Sequence, residues 1–252
     1  MRIDAVITPS VRHCPPGAYL DIARKAGAVS LVIENMTIAA ARNEGLRVAR
    51  EKGWEMILFI DDDIWLGDTD LEALADRVIT SQAAAGVFAV TDFPDNSVVM
   101  HAARAAGLPA PLRPNGGTMV LHVPAVAGRE FPETYNEDMF FLHKLDVIRA
   151  GNAFQEPYDP FVPGRAAREE AGDLIAEAMH AGAGVGSDEE YWAGAIAARH
   201  ELIGTILAAG VPERAAASLR EAGSALSDIT AAGARELAGR WLQESGTREA
   251  VR

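Results

Sequence analysis

Met56-Ile57-Leu58-Phe59-Ile60-Asp61-Asp62-Asp63 joins an apolar run of strand length to three consecutive carboxylates. Five apolar residues are too few for a typical helix, and Gly53 interrupts the helix-like pattern just upstream, so the run reads as a strand. Being apolar at every position, it suits a central parallel strand covered by helices on both faces. In open α/β sheets, ligands gather at the carboxyl ends of such strands, where Asp61, Asp62 and Asp63 fall. Charges this close repel one another, and a divalent cation or polar ligand offsets the repulsion. The plainer alternative is a solvated turn capping the next helix, since Asp is frequent at turns and N-caps; Asp68 and Asp70 already fit such caps ahead of Leu71.

Upstream, residues 3–8 read as a short strand ended by Pro9-Ser10, residues 18–26 as a helix, and residues 29–33 as a strand ending at Glu34-Asn35. Residues 37–52 are rich in helix formers, with Ile38, Ala41, Leu46, Val48 and Ala49 as the inward stripe and Gly53 as the stop. The resulting β-α-β-α-β order predicts a parallel sheet with right-handed crossovers.

Downstream, a helix is expected over 71–85 and a strand over 87–90, followed by a loop rich in Asp, Pro and Asn. Pro109, Pro111 and Pro114 lead into Asn115-Gly116-Gly117 and a strand over 118–123. The two glycines either let a ligand approach the backbone or form an ordinary turn. Asn136-Glu137-Asp138 opens a helix expected to reach about Arg149 and stop at Gly151; acidic residues in a first turn also suit the helix dipole on their own account. Residues 157–163 read as extended, and helices follow over 166–181, 189–209, 212–222 and 225–244. Trp192, Ile196, Ile203, Leu207, Leu226, Leu237 and Trp241 recur near helical spacing and read as packing residues. The expected organisation is a catalytic or binding α/β domain over 1–165 and a helical extension over 166–252 that serves as a cap or an oligomerisation element.

At 252 residues and 49% hydrophobic, the chain can bury a sizeable core without a second full domain. A formal net charge of -13 argues against a nucleic-acid or anionic-membrane surface, so bound phosphates would need a local cation. Cys14 is the only cysteine, which leaves no internal disulfide. The opening Met-Arg-Ile-Asp lacks the apolar core of a signal peptide, and the apolar runs fall short of the ~20 residues a membrane helix needs. A cytoplasmic protein with no membrane span is expected. His13, His101, His122, His143, His180 and His200 lack the close spacing of a tight metal site.

Read together, Ala41-Arg42-Asn43-Glu44-Gly45, the strand ending in Asp61-Asp62-Asp63, Gly116-Gly117 and Phe131 through Asn136-Glu137-Asp138 resemble the GT-A glycosyltransferases, particularly the family 2 type. That family has an acidic residue after its second strand, an Ala-Arg-Asn helix, a strand ending in D-x-D, a Gly-Gly strand and a helix opening with Glu-Asp. Over residues 1 to about 155 this chain matches the order and spacing. The resemblance implies a GT-A, Rossmann-like, mostly parallel sheet flanked by helices. It also implies a metal-dependent transferase of hexosyltransferase type, moving a sugar from a UDP- or GDP-sugar to an acceptor hydroxyl.

Carried over by motif, Asp61 and Asp63 are the carboxylates that hold Mg²⁺ or Mn²⁺ with the donor's ribose and diphosphate, and Asp62 either points away or touches the sugar. Asp138 corresponds to the general base of inverting members, with Glu137 in support. Lys144-Leu145 stands where the family carries Arg-Leu. Thr8, Pro9 and Ser10 occupy the nucleotide-contacting end of the first strand. Glu34, in Val32-Ile33-Glu34-Asn35, replaces the usual Asp-Asp-Gly-Ser that reads the base. Gly116 and Gly117 are substrate-side positions, while Arg42 and Asn43 either face the diphosphate, brace the site or pair at the surface. His180 is the candidate for the late histidine that some relatives add to the metal, against a solvated helix histidine. Two other readings are weighed against the transferase. One is a haloacid-dehalogenase-like phosphatase using Asp61-x-Asp63, which would want Thr or Val where Trp65 stands. The other is a non-catalytic nucleotide- or glycan-binding module, a homo-oligomer assembled through its C-terminal helices.

Overall fold

The computed structural model describes residues 6–7, 29–30, 37–61, 63–66, 71–90, 97–110, 116–182 and 188–246. The chain divides into two compact units. The first comprises Met1–Pro94, Pro114–Glu133 and Lys144–Glu156; the second comprises Asp95–Arg113, Thr134–His143 and Pro157–Arg252.

In the first unit, β1 (Val6–Ile7) and β2 (Val29–Ser30) form a parallel pair of their own. The helix α1 (Ile38–Glu51) begins at Thr37, whose hydroxyl accepts the Ala40 N–H at 3.1 Å. Its buried positions Ala39, Arg42, Leu46 and Ala49 recur at helical spacing. There follow β3 (Met56–Ile60), β4 (Ile64–Trp65), α2 (Leu71–Thr80), β5 (Ala85–Val90), β6 (Thr118–His122) and β7 (Val147–Gln155). The last five strands lie side by side in the order β3-β6-β5-β7-β4. Ile64, Leu74, Val78, Phe88, Val90, Val120 and Ala153 make the core over them.

The architecture is α/β as expected, but the sheet is mixed rather than mostly parallel. Within this five-stranded sheet, among the described residues, only β5 and β7 run parallel as neighbours; β3–β6, β5–β6 and β4–β7 are antiparallel. Parallel neighbours require a crossover packed on the sheet. Between β5 and β6 the chain instead passes into the second unit over residues 95–113, so β6 re-enters against both β3 and β5. Among the described residues β3 therefore sits at one end of the sheet, not at its centre, and its apolar run is unevenly covered: Ile57 is buried and Ile60 exposed.

The helix expected from Asn136 to about Arg149 is also corrected. It ends at Leu142, His143 leaves helical geometry at φ −55 and ψ 127, and Lys144 at φ 59 reverses the chain into β7. The strand escaped the sequence reading because its register slips: Val87 pairs with Arg149 but Phe88 pairs with Gly151. Ala150 is thus an extra residue, and such a bulge breaks the period-2 alternation that betrays a strand. In the same way α2 stops at Thr80 rather than near 85, with Gln82 turning at φ 57 before β5.

The second unit holds α3 (Val98–Ala105), α4 (Glu137–Leu142), α5 (Arg165–His180), α6 (Glu189–Ala209), α7 (Glu213–Ser227) and α8 (Ala231–Glu244). The segment of α3 lies where a loop was expected, and Val98 through Ala103 are all buried. Ser97 caps it, its hydroxyl accepting the Met100 N–H at 3.3 Å. Two apolar clusters meet along α5. Ala166 and Leu174 pack with Val98, Ile206, Leu219 and Leu226, whereas Ile175 and Met179 pack with Phe140, Trp192, Ala238 and Leu242. No helix among the described residues is long and apolar enough to cross a membrane.

Candidate functional site

Asp61 leaves β3 with its N–H donating to the Gly117 carbonyl at 2.8 Å, so the first carboxylate is tied to the residue that opens β6. The Asp61 carbonyl accepts the Ile64 N–H at 3.2 Å, closing a tight turn into β4. The Asp63 carbonyl accepts the Glu156 N–H at 2.8 Å, and its carboxylate Oδ2 accepts from Gln155 Nε2 at 3.2 Å. Asp61 and Asp63 are thereby fixed from opposite sides of β5, one through the entry to β6 and the other through β7.

The α1 motif supports the same turn. Arg42 Nη2 donates to Asp61 Oδ1 at 3.3 Å, and its guanidinium carbon lies 5.6 Å from the centre of the Phe131 ring. Arg42 is buried while the Asp61 side chain is largely open, so the contact satisfies a buried cation more than it constrains the acid. Asn43 clamps the backbone of Phe131 in both directions: Nδ2 donates to the Phe131 carbonyl at 2.9 Å, and Oδ1 accepts the Phe131 N–H at 2.7 Å. Phe131 in turn meets Phe59 edge-on at 5.7 Å. Arg42 and Asn43 brace the strand end rather than pairing at the surface. Gly116 and Gly117 are buried at the entry to β6.

Glu137 and Asp138 belong to the second unit, in the first turn of α4, with Glu137 buried and Asp138 half-buried. Asn136 before them is left-handed at φ 63 and donates its side-chain amide to Asp173 Oδ1 at 2.9 Å. His180 is exposed in the last turn of α5. Thr8, Pro9, Ser10, Glu34 and Asp62 lie outside the described residues.

The donor chemistry at Asp61 and Asp63 fits a hard divalent cation. Among the described residues no three His, Cys, Asp or Glu side chains gather into a metal-holding group. A pair of carboxylates is nevertheless the usual protein share for Mg²⁺, which draws its remaining oxygens from water and substrate phosphates. The sequence reading passed over Gln155 and gave no individual role to Phe59 and Phe131, which it quoted only as parts of motifs. Gln155 gains its role only through the bulged β7, and the two aromatic residues carry no chemical signature beyond apolarity.

Residues 28–138 match the family described as Glycosyl transferase family 2, a span that takes in Arg42, Asn43, Asp61, Asp63, Gly116, Gly117, Glu137 and Asp138. No curated protein and no solved structure matches the chain. The match covers less than half of the chain and supports a GT-A fold and glycosyltransferase activity for that segment.

Proposed function

We propose that the protein transfers a hexose from a UDP- or GDP-sugar to an acceptor hydroxyl, using Mg²⁺ or Mn²⁺ at Asp61 and Asp63. The observation behind this reading is a pair of carboxylates at the end of β3, held through Gly117, Arg42 and Gln155, inside the segment that matches family 2. In the transfer the bond between the anomeric carbon and the diphosphate oxygen breaks, its electron pair leaving with the nucleoside diphosphate. The acceptor oxygen forms the new bond at the anomeric carbon on the opposite face, which inverts its configuration. The proton of that hydroxyl passes to the Asp138 carboxylate, a role taken from its place in the Glu-Asp motif. A bound divalent cation would offset the charge that accumulates on the departing diphosphate. Asp61 and Asp63 would hold the cation, with the Gly117 carbonyl fixing the backbone of Asp61 and Gln155 orienting Asp63. Thr8, Pro9, Ser10 and Glu34 would meet the nucleotide, Gly117 and Gly116 would line its approach, Asp62 would reach toward the sugar, and Glu137 would support Asp138. One cysteine and a formal net charge of -13 suit a cytoplasmic setting with no nucleic-acid partner.

The test is a thermal-shift panel of nucleotide-sugars with and without Mn²⁺, followed by assay of donor hydrolysis and transfer. A ligand present at a hundredfold over its Kd stabilises by about 2.7 kcal/mol, which the panel reads readily. One nucleotide family should stabilise the protein only when the cation is present, and hydrolysis or transfer should follow. Phosphate release from simple phosphomonoesters, with no nucleotide-dependent shift, would overturn the reading in favour of a phosphatase. Cation-dependent binding without hydrolysis or transfer would leave a binding module.

A further inference from the structure

The helix α4 has six residues, too few to sustain itself by its own hydrogen bonds, so its position is set by what its first turn rests on. That turn is unusual. An N-cap residue is ordinarily extended and binds an amide one turn ahead with its side chain. Asn136 is instead left-handed at φ 63 and ψ 35 and makes no such bond. Asn is among the few residues besides Gly that adopt this conformation readily. Its amide is directed to α5, donating to Asp173 Oδ1 at 2.9 Å. The adjoining Gly172 meets the adjoining Tyr135: a Cβ on Gly172 would lie 2.8 Å from the Tyr135 carbonyl oxygen and 2.9 Å from its Cβ. Two consecutive residues of α5 thus seat two consecutive residues of the turn, one by shape and one by hydrogen bond.

The face of α5 that does this is itself anchored. Glu170, Asp173 and Glu177 share one side of the helix by their spacing. Arg199 of α6 reaches Glu170 Oε1 at 2.7 Å and Oε2 at 3.3 Å, and Glu177 Oε2 at 2.8 Å. Ser97, the cap of α3, donates to Glu177 Oε1 at 3.1 Å. Arg199, Glu170 and Asp173 are almost wholly buried. Such a network is costly to build and rigid once satisfied. Burial pushes Asp173 well above the ordinary carboxylate range; Glu170 and Glu177 add to the rise, and Arg199 and the Asn136 amide oppose it. Asp173 meets Asn136 as a hydrogen-bond acceptor through Oδ1, a part that an amide oxygen can take.

We propose that Asn136, Gly172 and Asp173 are positioning residues that hold the first turn of α4 so that Asp138 presents its carboxylate at a fixed angle. The inference rests on the proposed role of Asp138 as the base. The experiment compares Asn136→Gly, Asp173→Ala and Asp173→Asn in the full chain, each with Asp138 intact and as Asp138→Asn. The readouts are kcat and KM for transfer, with nucleotide-sugar affinity measured by calorimetry. Asn136→Gly retains the left-handed backbone while deleting the bond, so it should fold. With Asp138 intact, Asn136→Gly and Asp173→Ala should lower kcat toward ~10²-fold, the scale of a small misplacement of a reacting group, and leave donor affinity unchanged. Asp173→Asn should restore most of that loss. In the Asp138→Asn background none of the three should reduce kcat further. A further reduction there, or Asp173→Asn as damaging as Asp173→Ala, would overturn the positioning role while leaving the base in place. Normal turnover by Asp138→Asn alone would remove the base, and the positioning role with it. Where Asn136→Gly does not fold, the comparison of the two Asp173 variants decides the matter by itself.

Discussion

Asn43 shows how one side chain can hold a site together without touching the chemistry. Its amide satisfies both the N–H and the carbonyl of Phe131, a residue almost completely buried. Asn43→Ala would remove two hydrogen bonds to a buried backbone, at about 0.5–1.5 kcal/mol each. A loss of about 1–3 kcal/mol in urea unfolding is expected, and a loss under about half a kcal/mol, less than one ordinary hydrogen bond, would show the clamp to be dispensable. Asp63 contrasts with it, because its carboxylate is held by the single Gln155 amide at 3.2 Å among the described residues. Asp63→Ala should leave stability within about 1 kcal/mol of the parent, as for a lone hydrogen bond, and abolish cation-dependent nucleotide binding. Unchanged binding would remove the metal from this position. Asp138→Asn should keep nucleotide affinity and cut transfer at least ~100-fold, the low end for a general base. Isothermal titration and initial rates on the same preparation separate the two quantities.

Elements differed in how plainly the sequence announced them. The capped, amphipathic α1 was legible because local propensity and packing agree there, and the run in β3 was legible as a strand though not in its place at the end of the sheet. Arg42, Asn43, Asp61 and Gly117 were each singled out through the family resemblance, while the bonds that join Arg42 to Asp61 and Asp61 to Gly117 came only with the structure. Gln155 was hidden, because its partner depends on β7, and β7 depends on a bulge at Ala150 that no local pattern encodes. The antiparallel entry of β6 was hidden for a related reason: an excursion of the chain into the other unit replaced the crossover that a β-α-β reading assumes. Close approach of α2 to β5 also rests on one position, Gly86, where a Cβ would lie 3.0 Å from Val78 Cγ2 and 3.4 Å from Ala150 Cβ. Gly86→Ala should cost about 1–3 kcal/mol by overpacking. Adding Val78→Ala should return part of that loss, giving a double mutant more stable than the sum of its parts. Strict additivity in equilibrium unfolding would show that the two side chains do not meet.

Taken as a single chain carrying a formal net charge of -13, the protein should respond to acid through two buried groups of opposite sign. His101 is held down to about 4 from 6.5, by burial first and then by Arg165 and Arg104, while its Nε2 lies 3.2 Å from the Tyr158 hydroxyl. Between those values the unfolded chain binds a proton that folded His101 refuses, so its contribution to stability is intact above 6.5 and is lost as the pH falls toward 4. Asp173, facing Glu170, Glu177, Arg199 and Asn136, behaves in reverse. Its folded value lies well above 3.8, so from 3.8 upward the folded protein keeps a proton that the unfolded chain releases, and stability declines as pH rises through that window. Both residues sit in the helical second unit, whose transition is followed by far-ultraviolet circular dichroism. His101→Gln should shrink the stability lost between about pH 7 and pH 4.5 by about 2–3 kcal/mol, the linkage value of its displacement. Asp173→Asn should enlarge that loss, because it removes the group that favours acid. Two variants whose curves run parallel to the parent would show that neither group titrates differently on folding. Opposite changes of slope would show that the helical unit meets acid with two opposed proton equilibria, His101 weakening it and Asp173 strengthening it over the same pH range.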